Sequence, residues 1–162
     1  MNDASDETWD DITETEPRVR PARARVLFVD DDGSVRDLVA THLTAAGYEV
    51  YEAASGNELL KIVRSITLDS FPLDGVDLIV LDHRMPGMSG LEAIRRLRAL
   101  HWETPAILVT AFPEVEVERE AAILDVPILS KPFSLDLLSS VILANLLSRG
   151  HQAMPSGRGL HS

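Results

Sequence analysis

Carboxylates follow two apolar runs that have the composition of buried strands. The run from Val76 to Leu81 is followed by Asp82, and the run from Arg25 to Val29 is followed by Asp30, Asp31 and Asp32. Neighbouring parallel strands bring their carboxyl ends to one crevice, which is where such sheets bind ligands. Clustered carboxylates repel one another unless a cation lies among them, and a hard ion such as Mg²⁺ suits oxygen ligands. The pattern therefore predicts a divalent-cation site.

Two further polar residues end or follow strand-like runs. Thr110 ends the run that begins at Pro105, and Lys131 follows the run 126–130. A hydroxyl and an ammonium beside carboxylates can bind the oxygens of a phosphoryl group, whose transfer depends mainly on positioning and charge neutralisation. One carboxylate can itself act as the nucleophile and form an acyl phosphate. Asp82 is the best candidate, because it stands alone at the tip of a central strand.

Strand-like and helix-like segments alternate along most of the chain. Apolar patterns predict strands at 25–30, 48–53, 76–82, 105–110 and 126–130, and helices at 34–46, 56–66, 90–100, 114–124 and 134–147. Gly47 occupies the position of a helix-terminating glycine, and Ser89 and Ser134 are placed to cap helices. This alternation predicts a parallel sheet covered on both faces. The stretch 67–75 is long for a connection in such a unit.

The 162 residues suit one domain, predicted at 25–148. Residues 1–24 start with acids and continue with Pro and Arg, and such a segment buries too little apolar surface to fold alone, so we predict a disordered arm. Residues 149–162 are predicted to be a flexible tail. No apolar stretch approaches the ~20 residues that span a bilayer. Residues 1–7 also lack the basic and apolar parts of a signal peptide. We expect a cytoplasmic protein without membrane insertion.

The composition excludes several chemistries. The chain has no cysteine, which rules out disulfides, thiolate catalysis and cysteine-bound zinc. Its formal net charge of -11 argues against direct nucleic-acid binding, which depends on Lys and Arg neutralising phosphates.

The chain resembles a response-regulator receiver domain of two-component signalling over residues 25–148, about four-fifths of its length. The resemblance rests on four motifs in order: Val29-Asp30-Asp31, Asp82-x-x-Met85-Pro86-x-x-x-Gly90, Thr110-Ala111 and Lys131-Pro132-Phe133. It implies a flavodoxin-like (βα)5 three-layer sandwich, an α/β fold whose five parallel strands have the order 2-1-3-4-5. It also implies a cis peptide bond between Lys131 and Pro132.

The resemblance assigns a role to each site residue. Asp82 would accept a phosphoryl group from the phosphohistidine of a histidine kinase or histidine phosphotransfer protein. Mg²⁺ would be held by Asp30, Asp31, Asp82 and the backbone carbonyl of Arg84. Thr110 and Lys131 would bind phosphoryl oxygens, and inward movement of Thr110 would propagate the switch.

The resemblance also implies how the signal leaves the domain. The output surface would comprise the helix at 114–124, the strand at 126–130 and the helix at 134–147. Because no output domain is expected after residue 148, we predict a stand-alone receiver that is not a turnover enzyme and that contacts a downstream protein target. Phosphorylation-dependent homodimerisation through the same surface is an alternative. The acidic helix that begins at Glu114 suits a basic partner.

Three departures from the family pattern concern the output. Ile128 stands where the switch residue is usually aromatic, Asp125-Val126-Pro127 replaces a common Gly-Ala pair, and the loop 67–75 is longer than usual. At the entrance of the site, Arg84 and Phe112 are candidates for tuning the lifetime of the phosphate. His83 should lie away from the metal, because adjacent strand residues point to opposite faces.

Two other functions fit part of the pattern. Asp30-Asp31-Asp32-Gly33-Ser34 matches the nucleophile loop of haloacid-dehalogenase-like phosphatases, in which Asp30 and Asp32 would act. That class needs a further acid pair after the lysine, whereas only Asp136 follows here, and it leaves the motif around Asp82 unexplained. A pseudo-receiver that binds partners without taking phosphate is the second alternative, and the intact site argues against it.

Overall fold

The structure is a computed structural model, and it describes residues 24–68, 75–111 and 113–152, with side chains described as far as 65 in the first range and 149 in the last. Five parallel strands form one sheet in the order β2-β1-β3-β4-β5. The strands are β1 (Arg25–Val29), β2 (Glu49–Ala53), β3 (Leu78–Asp82), β4 (Ala106–Thr110) and β5 (Ile128–Ser130). The predicted α/β class, flavodoxin-like topology and strand order are confirmed.

Five helices connect and cover these strands. They are α1 (Gly33–Ala45), α2 (Gly56–Leu68), α3 (Gly90–Ala99), α4 (Val115–Ile123) and α5 (Leu135–Gln152). The predicted caps form, because the backbone N–H of Glu92 donates to Ser89 Oγ at 3.2 Å and that of Leu137 donates to Ser134 Oγ at 3.0 Å. Gly47, just beyond α1, has a φ of 101°, a conformation that glycine adopts without strain. No helix of the described ranges is long and apolar enough to cross a bilayer.

The sheet divides the core into two layers. Because side chains alternate along a strand, Leu27 and Ile79 lie on the face covered by α2, α3 and α4, while Phe28 and Val80 lie on the face covered by α1 and α5. Each fully buried aliphatic or aromatic side chain contributes roughly 1.5–3 kcal/mol relative to its exposed state. The central strands are therefore held on both faces, and their carboxyl ends have a fixed position.

Several boundaries differ from the sequence-based predictions. β3 begins at Leu78 rather than at 76, because Asp77 is at the strand entrance, where its side chain accepts a hydrogen bond from the backbone N–H of Arg25 at 2.7 Å. β5 has three residues, since Asp125 has a φ of 56° and the N–H of Val126 still bonds to the carbonyl of Ala121. α2 continues to Leu68 and α5 to Gln152, into stretches predicted to be loop and tail.

Candidate functional site

Three carboxylates meet at the carboxyl end of the sheet. Asp30 directly follows β1, Asp31 comes next, and Asp82 is the last residue of β3. Each offers an oxygen, and these oxygens lie within 4.8 Å of one another. Asp30 is 2% exposed and Asp82 is 8% exposed, whereas Asp31 is exposed to solvent. The acid cluster predicted from the two strand ends is therefore present and is open on one side.

The backbone around Asp30 holds its carboxylate in the crevice. The N–H of Asp30 donates to the carbonyl of Ala53 at 3.1 Å, and the N–H of Asp32 donates to Asp30 Oδ1 at 2.9 Å. Burial raises the pKa of the Asp30 carboxyl above its usual 3.8, although the hydrogen bond from Asp32 and the charge of Lys131 act in the opposite direction. The ionised form of Asp30 is thus costly, and a nearby positive charge lowers that cost.

Lys131 supplies the positive charge at this cluster. Its Nζ donates to Asp82 Oδ2 at 3.1 Å and lies 3.7 Å from Asp30 Oδ2. Its N–H bonds to the carbonyl of Thr110 at 2.9 Å, and the peptide bond to Pro132 is cis, as the resemblance implied. Burial by itself would lower the pKa of Lys131, but the hydrogen bond to Asp82 and the attraction of the two acids outweigh burial and raise the pKa. The side chain therefore stays an ammonium.

Thr110 lies at the same edge of the sheet as these charges, because it ends the strand next to β3. It ends β4, it is 1% exposed, and no described residue forms a hydrogen bond with its Oγ1. A buried polar atom without a partner costs roughly 1–3 kcal/mol. A ligand rich in oxygen atoms would satisfy this hydroxyl, and the neighbouring ammonium and carboxylates favour a phosphoryl group with its counter-cation.

Asp32 faces solvent in the turn that leads into α1, and it also has a structural task there. It is exposed, but its Oδ1 accepts hydrogen bonds from the N–H groups of Ser34 at 2.9 Å and Val35 at 3.3 Å, so it is the N-cap of α1. The sequence pattern of an aspartate two residues before Ser34 contained this signal. A phosphatase mechanism that uses Asp32 as an acid would have to break the cap.

The connection from β3 to α3 is built around Asp82. The N–H of Arg84 lies 3.3 Å from Asp82 Oδ1, and the N–H of Gly90 donates to the carbonyl of His83 at 2.9 Å. A Cβ on Gly90 would lie 2.5 Å from the carbonyl oxygen of Asp82, so only glycine fits there. Met85 is buried at the same turn. The glycine and the methionine of the family motif are therefore explained by the close packing of this loop against the end of β3.

Arg84 and His83 point to different surroundings. The guanidinium of Arg84 is exposed and lies 3.6 Å from Glu114, a residue in the connection between β4 and α4. His83 is half-buried, and burial lowers its pKa, while the charge of Asp82 acts in the opposite direction. Its Nδ1 is buried without a hydrogen-bond partner in the part of the chain that the structure describes. Of the two other residues named for tuning and output, Ile128 is half-buried against the core and Phe112 lies outside the described residues.

The donor set fits a hard divalent cation. Asp30, Asp31 and Asp82 provide carboxylate oxygens, which are the ligands that Mg²⁺ prefers. Asp82 also offers a nucleophilic carboxylate that is hydrogen-bonded to Lys131 on one oxygen. The arrangement has what acyl phosphate formation requires: an attacking oxygen, and groups that neutralise charge on the transferred phosphoryl group.

Comparisons with known proteins agree with this fold. Residues 26–143 match the family of the response regulator receiver domain. The Regulatory protein AtoC of Escherichia coli is 35% identical over 121 residues, which are 73% of this chain and 24% of that protein. Sporulation initiation phosphotransferase F of Bacillus subtilis is 29% identical over 119 residues, which are 73% of this chain and 90% of that protein. The chain spans about half of a further relative, the regulatory protein YrkP of Bacillus subtilis.

Solved structures show the same architecture. The chemotaxis protein CheY4 of Vibrio cholerae has 32% sequence identity and a TM-score of 0.66, and the match covers 76% of this chain and 98% of that chain. A receiver domain protein from Methanospirillum hungatei has 25% identity and a TM-score of 0.71, over 82% of this chain and 100% of that chain. The fold and the acid site define a receiver domain, and the chain belongs to the response-regulator receiver family of two-component signalling.

Proposed function

We propose that Asp82 accepts a phosphoryl group from the phosphohistidine of a histidine kinase or histidine phosphotransfer protein. The observation that carries the proposal is the 3.1 Å hydrogen bond from Lys131 Nζ to Asp82 Oδ2. The buried hydroxyl of Thr110, which has no hydrogen-bond partner among the described residues, supports it. Lys131 contacts Asp82, and Asp82 and Thr110 each end a strand of the neighbouring pair β3 and β4. They leave a place where phosphoryl oxygens would meet an ammonium and a hydroxyl.

The proposed transfer replaces a phosphorus–nitrogen bond by a phosphorus–oxygen bond. An oxygen of Asp82 forms a bond to phosphorus while the phosphorus–nitrogen bond of the phosphohistidine breaks, and the imidazole leaves with its electron pair and takes up a proton. Lys131 and Thr110 bind the phosphoryl oxygens during transfer and in the product. Later attack of water at phosphorus yields inorganic phosphate and restores the carboxylate. The domain is then a switch that is reset and not a turnover enzyme.

Mg²⁺ would be held by Asp30, Asp31, Asp82 and the backbone carbonyl of Arg84. The ion would supply charge neutralisation for the phosphoryl oxygens. Asp30 binds it as an ionised carboxylate, so the residues that position Asp30 matter for binding. Lys131 keeps its charge in the same site, and it would contact the phosphoryl group once the cation balances the acids.

A groove beside the site is suited to the donor. It has a volume of about 590 Å³, it is lined mainly by apolar atoms, and Lys131 forms one wall of it. Leu38, on α1, is 59% exposed at this groove. An apolar helix face of a donor protein would bury Leu38 and bring its phosphohistidine to Asp82.

We further propose that the output leaves through the surface formed by α4, β5 and α5. Thr110 ends β4 opposite Ser130, and Ile128 lies two residues earlier on β5. Val115 and Ile123, on α4, are 69% and 77% exposed, and three of the residues between them are glutamates. A downstream protein with basic and apolar groups fits this surface, and a phosphorylation-dependent homodimer is the alternative occupant. We place this exchange in the cytoplasm, in keeping with a chain that has no cysteine.

Phosphorylation can be tested directly. The protein is incubated with acetyl phosphate and Mg²⁺, and intact mass is measured for the addition of one phosphoryl group. Wild type and Asp125→Asn, which removes an exposed acid far from the site, should form the adduct, whereas Asp82→Ala should not. An adduct that persists in Asp82→Ala, or the absence of any adduct in wild type with all small donors, contradicts the proposal.

The phosphatase alternative has a different signature. It requires steady hydrolysis of a generic phosphomonoester that is abolished by Asp30→Asn but not by Asp82→Asn. We expect no such turnover from either the wild-type protein or the variants.

A further inference from the structure

The side chain of Arg36 reaches back from α1 to the end of β1. Its Nη1 donates to the backbone carbonyl of Asp30 at 2.6 Å, and its Nε lies 3.8 Å from Glu52 Oε1 at the end of β2. The side chain is 22% exposed, so the guanidinium is largely enclosed. Arg36 thus joins three elements at the edge of the acid cluster without being one of its oxygen ligands.

The bonded carbonyl is well placed to control two acids at once. It belongs to the peptide unit that links Asp30 to Asp31, so its direction sets the orientation of both residues. β1 pairs with β3 only as far as Val29, so this carbonyl lies past the end of the strand ladder. Its direction therefore depends on Arg36, while the other polar groups of Asp30 are held by Ala53 and Asp32.

We propose that Arg36 is a positioning residue for the divalent-cation site, which it serves by fixing the peptide unit between Asp30 and Asp31. The inference rests on the proposed binding of Mg²⁺ by these acids. Groups one step away from metal ligands orient those ligands, and their loss typically weakens metal binding roughly 10–100-fold. Nothing in the four family motifs assigns such a role to Arg36.

If Arg36 acted through its charge alone, its removal would change the affinity for Mg²⁺ in the opposite direction. A guanidinium near a cation site repels the cation, so its removal would tighten Mg²⁺ binding if charge were the only contribution. Removal of a positioning residue weakens binding despite that electrostatic gain. A purely structural role would lower the free energy of unfolding and leave the dissociation constant of Mg²⁺ unchanged.

The test measures the dissociation constant of Mg²⁺ from backbone amide shifts, together with urea unfolding, in four proteins. Arg36→Met should weaken Mg²⁺ binding about tenfold, at the lower end of the range for such orienting groups. Arg36→Lys retains one donor for the carbonyl and should recover part of the affinity. Arg96→Met removes the same charge from an exposed pair with Glu92 on α3 and should match wild type.

Each outcome separates the inference from the proposed function. Unchanged or tighter binding by Arg36→Met, with saturable binding by wild type, overturns the role of Arg36 and leaves the proposed function intact. If wild type itself shows no saturable Mg²⁺ binding, the proposed function fails first. Should Arg36→Met prove unfolded in the urea assay, Arg36→Lys decides. Weaker Mg²⁺ binding by that folded variant than by wild type supports the positioning role, and binding equal to that of wild type overturns it.

Discussion

The three consecutive acids after β1 lie in different surroundings, because the chain leaves β1 after Val29 and enters α1 at Gly33. Asp30 continues the strand and is buried in the crevice, Asp31 is exposed at the open side of the acid cluster, and Asp32 caps α1. The sequence predicted that Asp30 and Asp31 lie together at the strand end, since both follow a buried run. It did not separate the cap from a solvent-facing turn, because both place an exposed aspartate before a helix.

The cap can be tested separately from the site. Asp32→Ala should lower the free energy of unfolding by about 0.5–2 kcal/mol, because the N–H groups of Ser34 and Val35 lose their acceptor. Asp32→Asn retains an acceptor and should be nearly as stable as wild type. Urea unfolding measures both. Asp32→Asn should also be phosphorylated normally, and loss of phosphorylation in it would show that the carboxylate charge of Asp32 acts in the chemistry.

Asp30 illustrates the cost of burying a carboxylate. Its pKa is raised in the folded protein by burial, so the folded state binds this proton more tightly than the unfolded state does. The associated stability is fully present below the unfolded value of 3.8 and is lost as the pH rises through the folded pKa. In the absence of Mg²⁺, Asp30→Asn should therefore be more stable than wild type at pH 7.

The higher stability of Asp30→Asn should depend on pH in a way that identifies burial of the ionised carboxyl as its cause. The difference in the free energy of unfolding between Asp30→Asn and wild type should shrink as the pH falls toward 3.8, where the wild-type carboxyl becomes protonated. Urea titrations at several pH values without metal measure it. A destabilised Asp30→Asn at pH 7 would mean that the ion pair with Lys131 outweighs desolvation.

At the scale of the elements, the loop between β3 and α3 is closely packed against the end of β3 at Gly90. A Cβ at Gly90 would lie 2.5 Å from the carbonyl oxygen of Asp82 and 2.8 Å from Leu108 Cδ1. Gly90→Ala should cost about 1–3 kcal/mol through overpacking and should slow phosphorylation, because the end of β3 must shift. The matched change Gly33→Ala meets its nearest atom at 3.5 Å and should be close to neutral. Equal effects of the two substitutions in urea unfolding would contradict this account.

The elements themselves were largely predictable from the sequence, and their ends were not. Apolar runs and helical spacing identified each strand and helix of the described residues, because burial on two faces leaves a strong pattern. Hydrogen bonding between neighbouring segments sets where the strands begin. At the start of β3, the side chain of Asp77 accepts a hydrogen bond from the N–H of Arg25, which no periodicity in the sequence reveals. Similarly, Asp125 adopts a positive φ, which makes β5 shorter than predicted. An aspartate at this position in the sequence does not by itself predict that conformation.

Arg36 shows the same limit within the site. An arginine one turn into an exposed helix is usually a solvated charge, so its contact with the carbonyl of Asp30 is visible only in three dimensions. The positions of Lys131 and Thr110, by contrast, were predictable because Lys131 follows β5 and Thr110 ends the buried strand β4. The sequence thus identifies groups at strand ends better than groups that reach the site from a helix.

At the scale of the whole molecule, repulsion between the acids that the candidate site brings together lowers the stability of the fold. The chain has a formal net charge of -11, and three of its acids converge in one crevice. Two apolar layers hold the strands in place and so force these acids together. A cation that binds only the folded site should therefore stabilise the entire domain by mass action.

Mg²⁺ should raise the free energy of unfolding by about 1.4 kcal/mol when its concentration is ten times its dissociation constant. Urea unfolding with MgCl₂, and with NaCl at the same ionic strength, separates specific binding from screening of the net charge. Asp82→Ala should lose most of the Mg²⁺-specific part, whereas Asp125→Asn, which removes an acid whose side chain is 98% exposed, should retain it. If Asp82→Ala were stabilised as much as wild type, the effect of Mg²⁺ would come from the acidic surface as a whole, and the cluster at the strand ends would not be its binding site.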